Sequence, residues 1–276
     1  MTSTRFNLAI AALSLSVACG DANATMPSVV CDDPPALDAD EALDLYLAAW
    51  TEDDSFERTC MVQRSLAADA VLIDAGGPIA GRSAVAARVD ERVASLLAEG
   101  ATREAAGPIS LRHEEARFAW ATANETASEI ERGEDWLEFD EAGLLSRIHI
   151  LAGSGEDVPI GDQFIAWQRA WNARNEASRA EDLSEAATQD VRFTDLLTDV
   201  RGREALGAEI GRQQETLDGE LRLDDRVEVF ATMDGQPILI RQSAQITLRQ
   251  GGPIHLTNYV RLEHGRIQRL SGFPTP

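Results

Sequence analysis

The chain contains itself twice. Residues 49 to 85, AWTEDDSFERTCMVQRSLAADAVLIDAGGPIAGRSAV, lie without a gap on residues 170 to 206, AWNARNEASRAEDLSEAATQDVRFTDLLTDVRGREAL. Trp50 meets Trp171, Asp69 meets Asp190, Asp74 meets Asp195, and Gly81-Arg82 meets Gly202-Arg203, each a constant 121 positions on. A repeat of this size implies two similar folded bodies, and the 276 residues leave room for two of about 110 to 120 residues each.

Within each copy the apolar pattern changes period twice. An opening helix carries Leu43, Tyr46, Leu47 and Trp50 on one stripe, repeated as Phe164, Trp167 and Trp171. Asp38 or Asp40 can cap it. A second helix is expected over 55–68 and 177–187, then a short strand (VLID, VRFTD), then a third helix after the Gly-Arg dipeptide, over 83–99 and 204–216. The period then falls to two. Ile238, Ile240, Ala244, Ile246 and Leu248 alternate with Leu239, Arg241, Ser243, Gln245, Thr247 and Arg249, as in a strand with one buried face. Turn residues Met233-Asp234-Gly235 and Gln250-Gly251-Gly252 bound it. The first copy follows the same course over 109–121, 126–132, 135–139 and 144–151, and each copy closes on a hairpin, FDEAGLLSRI or LEHGRIQRLSGF.

The N-terminus reads as an export signal: one charge at Arg5, an apolar run from Phe6 to Val17, and small residues after it, too short to span a bilayer. Ser16-Val17-Ala18-Cys19 resembles a bacterial lipobox, so residues 1–18 are expected to be removed and Cys19 lipidated, with membrane attachment only through that anchor. Cleavage after Ala22-Asn23-Ala24 is the alternative and would give a soluble periplasmic or secreted protein. Residues 19–36 form a tether. Either way Cys31 and Cys60 are the two thiols left in an oxidising compartment, where a disulfide or two separate thiols are the choices. Their spacing does not suit a zinc site, and no metal or cofactor is expected. The net charge of −22 argues against binding nucleic acid or anionic lipid through the folded surface.

Helices leading into a curved antiparallel sheet make an α+β cone, twice over. The A-W at the end of helix one, the Asp-bounded strand running into Gly-Arg, and the closing F-D-x-x-G or L-E-x-G hairpin resemble the nuclear transport factor 2-like superfamily. Within it they resemble the SnoaL-like polyketide cyclase and ketosteroid isomerase group. The resemblance covers residues 37–151 and 160–276, with 152–159 as linker. It implies two tandem cones, each three helices on a curved sheet, packed against each other as an intramolecular pseudo-dimer.

The resemblance also implies site residues. Tyr46, Asp74 and Asp135 stand where ketosteroid isomerases place a phenol, a base and a second carboxyl, the parts of a metal-free proton transfer. Asp135 shares a strand face with Leu137 and Phe139, which points it into the cone. Phe118 and Trp120 alternate on one face and, with Trp50 and Leu137, would wall a pocket for a small lipophilic ligand. The second copy carries Trp167, Asp195 and Asn258 at the matching places. Trp167 has no hydroxyl and fills space, so the first cone is the expected pocket. A cell-envelope module that binds protein and does no chemistry is the competing reading.

Overall fold

The computed structural model describes residues 31, 37–124, 129–249 and 251–275. The expected signal segment, Cys19 and all of the tether except Cys31 lie outside the described residues. Cys31 is bonded to Cys60, with the two Cα atoms 5.4 Å apart.

The first body runs α1 (Ala39–Ala49), α2 (Ser55–Ser65), β1 (Leu66–Asp74), β2 (Gly77–Ala80), α3 (Arg82–Ala98), β3 (Ala101–Ala105), β4 (Ser110–Arg112), β5 (Glu115–Asn124), β6 (Glu129–Phe139) and β7 (Leu145–Ala152). The second runs β8 (Glu156–Pro159), α4 (Asp162–Asn172), α5 (Glu176–Ala186), β9 (Ala187–Thr194), β10 (Asp199–Arg201), α6 (Arg203–Leu217), β11 (Gly219–Leu223), β12 (Arg226–Met233), β13 (Gln236–Leu248), β14 (Pro253–Glu263) and β15 (Arg266–Pro274). Each body is three helices on a curved sheet.

Local chemistry sets the helix starts. Asp38 caps α1 and exchanges bonds with Glu41, a complete capping box. Asp54 and Asn175 cap α2 and α5. The helices α3 and α6 instead leave from Gly81 and Gly202, at φ +94° and +88°. Side chains avoid that backbone region, which explains the glycine of the repeated Gly-Arg pair.

The sheets are ordered β2-β1-β7-β6-β5-β3 and β10-β9-β15-β14-β13-β12-β8, with β4 on β5 and β11 on β13. All neighbours are antiparallel except one pair in each, β1 with β7 and β9 with β15. The sheets are therefore mixed, because α3 or α6 carries the chain across before its last strand returns beside the first. Three local expectations change. The segments expected over 126–132 and 135–139 are one strand, β6, continuous through Gly133. The segment expected over 109–121 is broken by a turn at His113, whose φ is +51°. Of the residues expected as a linker, 156–159 form β8, an edge strand on β12 of the second sheet.

Residues 31–276 cluster as one compact unit. Each body has its own core, and a third cluster lies between the two sheets: Ile73, Trp136 and Leu151 from the first with Phe230, Leu239, Tyr259 and Phe273 from the second. Leu239 is buried for this reason, although the alternation in its strand assigned it to the polar face.

Among the described residues, the ion pairs across this seam run one way. Glu114, Glu115, Glu134 and Glu138 of the first body meet arginines of the second. Arg201 and Arg192 reach Glu114 at 3.0 and 2.8 Å. Arg241 reaches Glu134 at 3.0 Å, and Tyr259 donates to the same carboxylate. Arg269 holds Glu115 and, at 2.9 Å, Glu138. Arg261 reaches Glu138 at 2.5 Å. His149, fully buried and stacked on Trp136, contacts Glu138 at 2.8 Å. Buried pairs of this kind fix which surfaces match more than they add net stability.

Candidate binding site

In the first cone the interior is closed by the protein's own side chains. Tyr46, from α1, donates to Asp135 at 2.7 Å; Trp120, from β5, donates to it at 2.8 Å; and Arg103, from β3, pairs with it at 2.6 Å. The Arg103 guanidinium lies between the indoles of Trp50 and Trp120, 3.8 and 4.0 Å from their centroids. All five side chains are buried. A guanidinium lying over two indoles and paired with a buried carboxylate has its contacts met from within the protein. Burial, then the nearby Asp135 charge, pushes the Tyr46 phenol well above its ordinary value, so it remains a donor. Gly133 is part of the same packing, since a methyl there would come within 2.3 Å of the Trp120 ring.

Asp74 stands apart from this group. At the end of β1 it accepts from the Gly76 backbone at 2.7 Å and pairs with Arg88 and Arg92 of α3 at 3.2 and 2.9 Å. The structure thus brings Tyr46 and Asp135 together and sends Asp74 to two arginines. Phe118 and Leu137 are core residues. Trp50 and Trp120 border an open cleft with Arg92 and Arg103.

The second cone differs at the matching positions. β3 pairs with β5 as Arg103↔Thr122 and Ala105↔Trp120, while β11 pairs with β13 as Leu221↔Ile246 and Leu223↔Ala244. In that register Leu221 replaces Arg103 and Ala244 replaces Trp120. Asp135 lies opposite Phe118, and Asn258 opposite Gln242. On the third helix, 121 positions on, Glu209 and Gln213 replace Arg88 and Arg92. Two bulky groups are gone, and a space of about 210 Å³ remains, walled by Trp167, Trp171, Phe193, Leu221, Ile246 and Leu270. The three aromatic rings touch one another at centroid distances of 5.8 to 6.3 Å.

Trp167, Asp195 and Asn258 all line this pocket. Asp195 accepts from the Leu197 backbone at 2.8 Å and from the Gln213 amide at 2.9 Å. No ion pair to it occurs among the described residues. Asn258 donates to Gln242 at 2.8 Å. The mouth is edged by Leu196 and Leu197, which stand 50% and 88% exposed on the β9–β10 turn. The apolar hollow thus lies in the second cone, while of the residues expected to wall a pocket in the first, Trp50 and Trp120 border the polar cleft and Phe118 and Leu137 are core. Reading Trp167 as a space-filling substitute was incomplete, because Trp120→Ala244 and Arg103→Leu221 empty more volume than Trp167 fills. Arg103, Arg88, Arg92 and Gln213 were not anticipated; comparing the two copies position by position along the late strands could have flagged the first. Among the described residues no group of three or more His, Cys, Asp or Glu is placed to hold a metal ion, and no helix is long and apolar enough to cross a membrane.

No protein-family model and no curated protein matches the chain. Among solved structures it is similar to a protein of the SnoaL-like family from Agrobacterium tumefaciens, at 21% identity and TM-score 0.37, over 40% of this chain and 93% of that one. A protein of unknown function with a cystatin-like fold from Methylobium petroleophilum matches at 21% identity and TM-score 0.35, over 45% and 81% of the two chains. An NTF2-like protein of unknown function from Cytophaga hutchinsonii matches at 14% identity and TM-score 0.31, over 43% and 94%. Each half of this chain is three helices on a curved mixed sheet in which the strand after the second helix runs parallel to the last strand.

Proposed function

We propose that this protein binds a small, mostly apolar molecule in its second cone, and that the first cone is a closed body that supports it. The observation carrying this reading is the aromatic and aliphatic pocket left where Leu221 and Ala244 replace Arg103 and Trp120. Its volume of about 210 Å³ is below the ~300–1,000 Å³ of drug-sized sites, and above a cavity of ~150 Å³ that takes up benzene. A ligand of one or two rings, or a short alkyl chain, fits that range. The seam between the sheets supports reading the two cones as an intramolecular pseudo-dimer. The N-terminal sequence supports export and a lipid anchor at Cys19, and the Cys31–Cys60 bond is consistent with an oxidising compartment.

Proton transfer by Tyr46, Asp74 and Asp135 draws no support from the geometry. Asp135 is occupied by two hydrogen-bond donors and the Arg103 charge, and the carboxylate meant as base is held by two arginines. In the second cone Asp195 faces the pocket without such partners, so ligand contact and any chemistry belong there.

The test is uptake of toluene or indole, read by tryptophan fluorescence and thermal shift, in the protein and in Ala244→Trp, which restores the bulk of the first cone. The protein should bind and be stabilised, and the variant, shown folded by its near-ultraviolet dichroism, should lose at least tenfold in affinity. Absence of uptake by the unaltered protein would end the proposal.

A further inference from the structure

The polar atoms at the inner end and rim of the second-cone pocket are mostly acceptors, and they prescribe the ligand's chemistry. This inference rests on the binding reading above. Asp195 contributes a carboxylate whose two oxygens each hold one bond already, from Leu197 and Gln213, and each keeps room for another. Asn258 spends an amide hydrogen on Gln242, and its Oδ1 faces the last strand beside Gly272. Thr216 donates its hydroxyl to the Arg212 carbonyl at 2.9 Å and keeps its acceptor side.

The amide donor closest to Asp195 is committed. The Gln213 amide serves Asp195 and Glu209. Arg212, at the exposed rim, is bonded through Nε and a terminal nitrogen to Glu209 and keeps three further N–H groups. Arg112 of the first cone is within electrostatic reach of Asp195 but makes no ion pair with it; it bonds Ser110 at 3.1 Å and lies over the Phe273 ring. At the matching place in the first cone the carboxylate, Asp74, is neutralised by two arginines. The contrast leaves Asp195 as the one of the two whose remaining bonding must come from outside the protein or from water.

We infer that the pocket selects a compact apolar body ending in a hydrogen-bond donor, a hydroxyl or an amine, and rejects the isosteric carboxylate. An anionic end group reaching Asp195 would meet a like charge that no ion pair offsets, and would forgo the hydrogen bond a donor makes there.

Four ring compounds of one size separate the outcomes: toluene, benzyl alcohol, benzylamine and benzoate, titrated against the whole protein by calorimetry at neutral pH. Benzyl alcohol and benzylamine should bind at least about tenfold tighter than benzoate, with toluene between. In Asp195→Asn the amine should lose about tenfold relative to toluene, a pattern that a folding defect would not give. Benzoate binding as tightly as the alcohol would overturn the inference and leave the pocket standing. Failure of all four, toluene included, would instead overturn the binding reading on which it rests.

Discussion

The two cones share element order and strand pairing apart from β8, and even the glycine that starts the third helix, yet one has its interior filled by a polar plug beneath a polar cleft and the other keeps an apolar hollow. The difference comes down to a few side chains on one framework. Arg103, Trp120 and Asp135 form a self-contained plug, and Leu221, Ala244 and Asn258 at the same places leave a hollow. Arg88 and Arg92 hold Asp74, and Glu209 and Gln213 leave Asp195 facing the hollow. A fold therefore says where a pocket can be, and the side chains pointing inward decide whether it exists.

The plug offers the sharpest way to test that contrast. Arg103→Leu, the second cone's residue in the first cone's frame, leaves Asp135 buried beside a void, and should cost about 3–5 kcal/mol in denaturant unfolding. Adding Asp135→Asn, which completes the second cone's pair, should recover at least half of it. If the double variant is no more stable than the single, the charge pair is not what closes the cone.

A smaller effect should appear with pH at the seam. Burial lowers the His149 pKa to about 4 even though Glu138 beside it favours the charged form. The folded protein therefore holds the neutral ring, which gives stability above the unfolded value of about 6.5 that is lost as pH falls towards 4. The loss should be on the order of 3 kcal/mol across that window. Against a desolvation cost that acts to raise it, Arg261 and Arg269 hold Glu138 low, so its own contribution fails only at more acid pH. Glu115, raised by burial, acts in the opposite sense. The difference between the protein and His149→Gln isolates the histidine. The second cone has Ser271 at the matching register, so equal slopes in the two proteins would remove the asymmetry from the explanation.

The smallest effect checks what the halves have in common. Gly81→Ala and Gly202→Ala meet little or nothing in space, so each should cost only the backbone strain of its positive φ, about 1–3 kcal/mol. Thermal unfolding should show the two costs matching within about 1 kcal/mol. A large inequality would mean that the third helices do not start alike.

Much of the fold was legible in the sequence because it depends on patterns that repeat. The stripes on α1 and α4, the capping aspartates and the Gly-Arg starts are local and each is written twice. Strand ends were harder, since β6 runs through Gly133, where a glycine usually signals a break, and here makes room for an indole. The site was legible by position and not by state. Tyr46 and Asp135 do meet, and Trp167, Asp195 and Asn258 do line one cavity, but whether a carboxylate is free or held depends on partners far away in the chain. Arg103 stands 32 positions before Asp135, on a short strand with no periodic signature, and nothing local marks it as the stopper.

Glu138 and Arg261 occupy matching registers in the two sheets, opposite Arg147 and Arg269, and they touch each other. In a dimer of two identical cones a residue at the symmetry axis meets its own copy, so a glutamate there would face a glutamate. Carrying both halves on one polypeptide lifts that restriction and lets one face become the acid and the other the base. Their joining is then intramolecular, and dilution will not part them.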